Sequence, residues 1–154
     1  MNQRITTLAW IERALSASRL AVLATEGGGQ PHASLVTVTP LRPPHELVFA
    51  TYRNTRKYGN LLANARVALL MHCMEADPSG LQDAIVLTAT GDAMEAAGTR
   101  REALAGLHVQ THPDLAGFIG SPDCAVFCVA VESYQVVRGI DDVGSWSLAQ
   151  LGVS

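Results

Sequence analysis

The chain has 154 residues, 48% of them hydrophobic and 5% aromatic, and a formal net charge of -3. That length sets one domain spanning 1–154 with a core that needs no disulfide or metal staple. A slightly acidic balance without a basic stripe threaded by aromatics speaks against a nucleic-acid partner.

Charges at Arg4, Glu12 and Arg13 interrupt the N-terminal segment, which argues against a signal peptide or a membrane-spanning helix. Ile5, Leu8, Ile11 and Leu15 recur at helical spacing, so the chain opens on an amphipathic helix ending near Ser18. A strand over 20–25 turns at Glu26-Gly27-Gly28-Gly29-Gln30 into a second strand over 31–39. Pro40, Pro43 and Pro44 separate it from a third strand, 46–51, which runs straight into a helix over 56–63. Residues 66–73 are too apolar for a surface strand and are expected to cross the core. Asp77-Pro78-Ser79-Gly80 marks a loop, and 84–93 reads as a fifth strand with Gly91 at a bulge. A helix over 99–109 and a shorter one begun by Pro113 and ending near Ile119 precede the last strand, 124–137. Six strands joined mostly by short turns, with helices inserted at the ends, suggest a mainly β (α+β) fold, a closed antiparallel barrel rather than a doubly wound sheet. Cys73, Cys124 and Cys128 are odd in number and lack metal or redox spacing, which reads as reduced, buried thiols of a cytoplasmic protein with no membrane partner and no metal.

The segment Thr51-Tyr52-Arg53-Asn54-Thr55-Arg56-Lys57 carries three cations where a strand ends and a helix starts. From 47 to 74 there are four basic residues, Arg53, Arg56, Lys57 and Arg66, and no acidic one; Lys57 is the only lysine of the chain. Cations in a first helical turn oppose the helix dipole, each losing about 0.3 to 1 kcal/mol, so their placement points to a bound anion, a phosphate above all. The plain alternative is a solvated helix start capped by Asn54 or Thr55. Tyr52 and Arg53 divide evenly between a ligand rim and ordinary surface.

Residues 47–57, followed by Asn60-Leu61 and Arg66-Val67-Ala68-Leu69-Leu70, resemble the strand, phosphate turn, helix and following strand of the FMN-binding split barrels related to pyridoxamine 5'-phosphate oxidase. Gln30-Pro31-His32-Ala33-Ser34-Leu35-Val36 is similar to that family's second strand, so the likeness covers 20–73. It implies a six-stranded antiparallel split β-barrel with peripheral helices and FMN as cofactor, with Thr55, Arg56 and Lys57 around its phosphate, Thr51 facing it from the third strand, and Ser34, Leu35 and Val36 along the ring edge. His32 lies beside that strand, where it touches the ring or a partner subunit or is a plain hairpin residue. Trp146 either reaches the flavin of the other subunit or packs on its own barrel. The resemblance further implies a homodimer with the flavin at its interface and a flavin-dependent oxidoreductase that uses a small-molecule electron donor and acceptor.

Four positions depart from the oxidase pattern. Ser34 stands where the oxidase has an arginine, Thr39 where it has a lysine for its substrate's phosphate, and Val86 and Thr88 where it has Gln and Arg. A different substrate is therefore expected. No side chain stands out as acid, base or nucleophile, and a non-catalytic FMN carrier or sensor is the alternative. Thr111-His112-Pro113-Asp114-Leu115 is similar to relatives involved in haem utilisation, and His72, His108 and His112 raise a metal or haem ligand. Pro113 breaks the shared helix face at His112, which favours ordinary surface or loop histidines.

Overall fold

The computed structural model describes residues 3–74, 84–139 and 142–153. Eight strands form one sheet in which every pairing is antiparallel: β1 (Leu20–Gly27), β2 (Gln30–Thr37), β3 (Thr39–Leu41), β4 (Glu46–Tyr52), β5 (Arg66–Met74), β6 (Ala84–Glu95), β7 (Cys124–Arg138) and β8 (Asp142–Ser147). The helices are α1 (Gln3–Ala17), α2 (Arg56–Ala63), α3 (Gly98–Thr111), α4 (Ala116–Ile119), which follows a 3-10 turn over Pro113–Leu115, and α5 (Leu148–Leu151). No described helix is long and apolar enough to cross a membrane.

Strand order is β2-β1-β5-β6-β7-β4-β3. β7 is long enough to hold two strands on one edge: β4 pairs with its residues 124–130 and β8 with 133–138, while β6 runs along the other edge. The sheet curls until β2 lies against β4 without pairing to it, and this seam splits the barrel. The expected count of six strands is thus short by two. Thr39–Leu41 separates from β2 as a three-residue strand, and the tail that includes Trp146 zips onto β7.

Alternation places one face of each strand inside. Ala21, Leu23 and Thr25 of β1 are buried, and the first two meet Leu47, Phe49, Leu69, Leu87 and Phe127, with the Phe49 and Phe127 rings stacked at 5.3 Å. α1 covers this core with Thr7, Ile11, Ala14 and Leu15. β4 is buried on both faces: Val48 and Ala50 turn away from the barrel and pack with Leu104, Ile119, Val126 and Cys128 beneath α3 and α4. β5 does not behave as expected from its apolarity. Val67, Leu69 and Met71 are inside, but Leu70 and His72 are exposed, because only one face of this strand is covered. The β1–β2 hairpin turns on Gly28 and Gly29, both at positive φ, as a two-residue connection between paired Gly27 and Gln30 requires. The loop expected at Asp77-Pro78-Ser79-Gly80 and the side chain of Cys73 lie outside the described residues.

Gly91 sits at a register shift, as its place in an apolar strand suggests: Thr90 pairs with Ser133 but Gly91 with Val131, so Glu132 bulges from β7. A Cβ at Gly91 would come within 2.1 Å of the Ala130 carbonyl oxygen. Gly91→Ala is expected to destabilise the fold by about 2 kcal/mol through forced separation of β6 and β7, read from urea unfolding; an unchanged midpoint would show that the strands part freely there.

Candidate functional site

The strand-to-helix turn is held by its own hydroxyls. Thr55, in an extended conformation, caps α2: its Oγ1 accepts from the Tyr58 N–H at 3.3 Å and donates to the Tyr52 carbonyl at 2.8 Å. The Thr51 hydroxyl lies 3.1 Å from that of Thr55. The capping reading and the ligand reading of this turn are therefore compatible, since a capped first turn still leaves N–H groups free. α2 begins with no acidic residue in its first turn.

Arg53 belongs to the scaffold. Its guanidinium donates to the Pro122 carbonyl at 2.8 Å and to Glu95 at 2.8 Å, and Tyr58 donates to the same carboxylate. Arg56 and Lys57 differ from the rest of the chain's cations. Among the described side chains, Arg19, Arg42, Arg53, Arg66 and Arg100 pair with carboxylates, Arg101 donates to carbonyls of Ile119 and Cys124, and Arg138 lies over the Trp10 ring. Arg13 is also engaged. Arg56, which is exposed, and Lys57, which is half-buried, have no such partner.

Lys57 borders a cavity of about 240 Å³ at the seam between β2 and β4. Its walls are Leu35, Val36 and Thr37 of β2, Ala50, Thr51 and Tyr52 of β4, Thr55 and Lys57 at the head of α2, and His108, Leu115 and Phe118 from the helical insertion. Among the described residues no carboxylate lines it. Five of the nine residues expected at a ligand site, Leu35, Val36, Thr51, Thr55 and Lys57, thus converge on one space. Arg56 is next to Lys57 but is exposed and is not part of the wall. Ser34 turns to the inner face of β2 opposite Leu23, and its Oγ is buried without a hydrogen-bond partner. His32, half-buried, lies further along that face opposite Thr25. Trp146 is paired across from Tyr134 and packs on the core of its own barrel.

The histidines are where sequence reasoning misjudged the site. Pro113 ends α3 as expected, with His112 as its C-cap, yet His108 and His112 are both buried rather than on the surface or in a loop. Their rings meet at 5.0 Å and 65°. His108 Nδ1 lies 2.7 Å from the buried Thr39 hydroxyl, and His112 Nε2 is 3.0 Å from the Val38 carbonyl. A carbonyl only accepts, so His112 carries its proton on Nε2 and its buried Nδ1 is left without a partner. Burial, followed by the proximity of His112, lowers the His108 pKa from 6.5 to about 4. Only the four-residue spacing of the two histidines hinted at this pair. Tyr52 and Phe118, whose rings meet edge to face at 4.7 Å, complete the aromatic part of the wall. Cys124 and Cys128 are buried free thiols, and burial together with Glu46 raises the latter's pKa to about 11. Among the described residues no three His, Cys, Asp or Glu side chains converge as a metal site would need.

The sequence pattern of the pyridoxamine 5'-phosphate oxidase family matches residues 9–138. A Schizosaccharomyces pombe pyridoxamine 5'-phosphate oxidase homologue is 41% identical over 70 residues, which cover 40% of this chain and 37% of the yeast protein. Among solved structures, a haem-binding protein from Mycobacterium smegmatis superposes with a TM-score of 0.79 at 21% identity, over 98% of this chain and 60% of its own. A Clostridium acetobutylicum protein related to general stress protein 26, of the pyridoxinephosphate oxidase family, superposes with a TM-score of 0.73 at 15% identity over 95% and 97% of the two chains. At such identities these structures establish the shared split-barrel fold. The chain spans less than two thirds of the yeast and mycobacterial proteins.

The depressed His108 pKa fixes a pH dependence. An unfolded imidazole binds a proton as pH falls through 6.5, whereas the folded one resists until about 4. Stability is therefore full above that window and falls as pH drops through it, by on the order of 3 kcal/mol. Unfolding free energies measured from pH 7.5 to 4 are expected to show this limb in the wild type and a flatter one in His108→Gln; equal slopes would place the titration elsewhere.

Proposed function

The chain belongs to the pyridoxamine 5'-phosphate oxidase family, and from that membership we propose that it is an FMN-binding protein. In this reading Thr55, Arg56 and Lys57 hold the flavin phosphate, and residues 34–36 of β2 run along the ring. The observation that carries it is the pair of cations without protein partners at the head of a helix that has no acidic residue in its first turn, beside a cavity free of carboxylates. A phosphate carries about -1.5 to -2 charge with three acceptor oxygens, which suits a forked Arg, a point-charge Lys, helix-start N–H groups and the hydroxyls of Thr51 and Thr55.

We read the activity as oxidoreduction between a small-molecule electron donor and acceptor, in the cytoplasm. Bound FMN supplies the hydride or electron chemistry, and the chain's own residues bind it, orient it and keep water away. The substrate differs from pyridoxamine phosphate. Thr39, where the oxidase has a lysine, is buried and tied to His108, and Val86 and Thr88 offer neither an amide nor a cation. A homodimer is supported by an apolar band on the outer face of β1, β2 and β5, where Leu20, Val22, Leu35 and Leu70 are all exposed and Val22 pairs with both Leu35 and Leu70. Leu35, 63% exposed, belongs both to this band and to the cavity wall, so a second copy on the band would close the site.

Purified protein is expected to show a flavin spectrum, to release FMN on heating, and to lose it in the double variant Arg56→Ala, Lys57→Ala without loss of fold. Stoichiometric FMN retained in that variant, or a Soret band in place of a flavin spectrum, would sink the assignment. Reduction by NADH or NADPH with steady turnover to an acceptor separates an enzyme from a carrier. For the dimer, Val22→Glu places a charge in the centre of the band and is expected to yield a monomer by light scattering; a wild type that is itself monomeric at micromolar concentration rejects that part of the reading.

A further inference from the structure

The cavity has a wall that the phosphate turn and β2 do not explain. On it, the only side chain able to donate a hydrogen bond, apart from hydroxyls, is that of His108, flanked by Leu115 and Phe118. His108 is 1% exposed and is tied to the protein through Nδ1 alone. The geometry fixes which ring nitrogen carries the proton. Thr39 Oγ1 is buried and has no other hydrogen-bond partner, so a proton on His108 Nδ1 would leave the threonine hydroxyl hydrogen without an acceptor. The arrangement that satisfies both groups has Thr39 donating to Nδ1 and the proton on Nε2. His112 supports it from behind, its ring against that of His108 and its own Nε2–H locked onto the Val38 carbonyl.

We propose that His108 is a ligand-contacting residue of this site, donating its Nε2–H to an uncharged oxygen of the bound flavin, a ring carbonyl or a ribityl hydroxyl, with Thr39 and His112 as positioning residues. The proposal rests on the FMN reading given above. It assigns the two polar groups of the cavity wall different partners: Lys57, the only cation among the described lining residues, takes the phosphate, and the imidazole takes a neutral acceptor. Burial keeps His108 uncharged at neutral pH, so it offers a directed dipole there and no second site for an anion.

The test is titration of flavin-free full-length protein with FMN and, separately, with riboflavin, which lacks the phosphate. His108→Phe is expected to raise the Kd about tenfold for both ligands, while His108→Gln, whose amide still donates, stays close to wild type. Lys57→Ala is expected to weaken FMN and leave riboflavin unchanged. Thr39→Val, which frees the His108 tautomer without touching the cavity, is expected to fall between wild type and His108→Phe. A wild-type Kd in His108→Phe overturns the proposal, as does a loss confined to FMN, which would put His108 at the phosphate. Equal losses in His108→Phe and His108→Gln accompanied by a lowered melting temperature would reduce His108 to a packing residue. A wild type that takes up neither ligand would instead remove the flavin reading itself, which separates the two failures.

Discussion

Everything at the candidate site depends on the pairing of β4 with β7 under cover on both sides. Leu47 and Phe49 point into the barrel while Val48 and Ala50 point beneath the helices. A slip by one residue would exchange these two sets, and since both are buried, neither face could absorb the error. The register from Glu46–Ala130 to Tyr52–Cys124 is thereby fixed. Thr51 follows as a rigid point, and the turn that presents Thr55, Arg56 and Lys57 is anchored to it through the hydroxyl contacts and through Arg53, whose hydrogen bonds reach β6 and the segment before β7.

The distribution of charge follows from the same packing. Glu46, at the start of β4, shows how the fold treats a buried carboxylate: burial alone would raise its pKa, but hydrogen bonds from Cys128 and Arg42 and the charges of Arg42 and Arg100 hold it below its ordinary value. Arg19, Arg53, Arg66, Arg101 and Arg138 are engaged in a similar way, by carboxylates, carbonyls or a ring. Arg56 and Lys57 stand outside this pattern on a helix whose dipole disfavours them. Among the described residues the other cations are engaged, whereas Lys57 on the cavity wall and its neighbour Arg56 are not, and this contrast gives the anion reading its weight.

The strand, basic turn and helix could be read from the chain because their determinants are local. Prolines before Glu46, a threonine cap and an apolar helical face lie within some twenty residues, and α2 has the expected bounds, Arg56–Ala63. The β1–β2 hairpin and the Gly91 bulge were legible for the same reason. Misreadings arose wherever burial depended on distant segments. The apolar run of β5 looked fully interior, but whether its second face is covered depends on what lies beyond β1 and β6. His108 and His112 looked like surface residues because nothing near them in sequence predicts that α3 would press them against Val38 and Thr39, about seventy residues earlier.

The sequence by itself determined most of the element types, the antiparallel barrel and the cationic turn, since periodicity, turn residues and charge placement act over a few residues and need no partner. Only the tertiary structure decided that β2 and β4 face each other across a seam, that Leu35 opens onto it while Ser34 is sealed behind it, and that Trp146 joins its own barrel. It also set the tautomers of a buried histidine pair. These depend on the closure of one continuous sheet and on which polar groups lose water together, and neither property belongs to any stretch of chain taken alone.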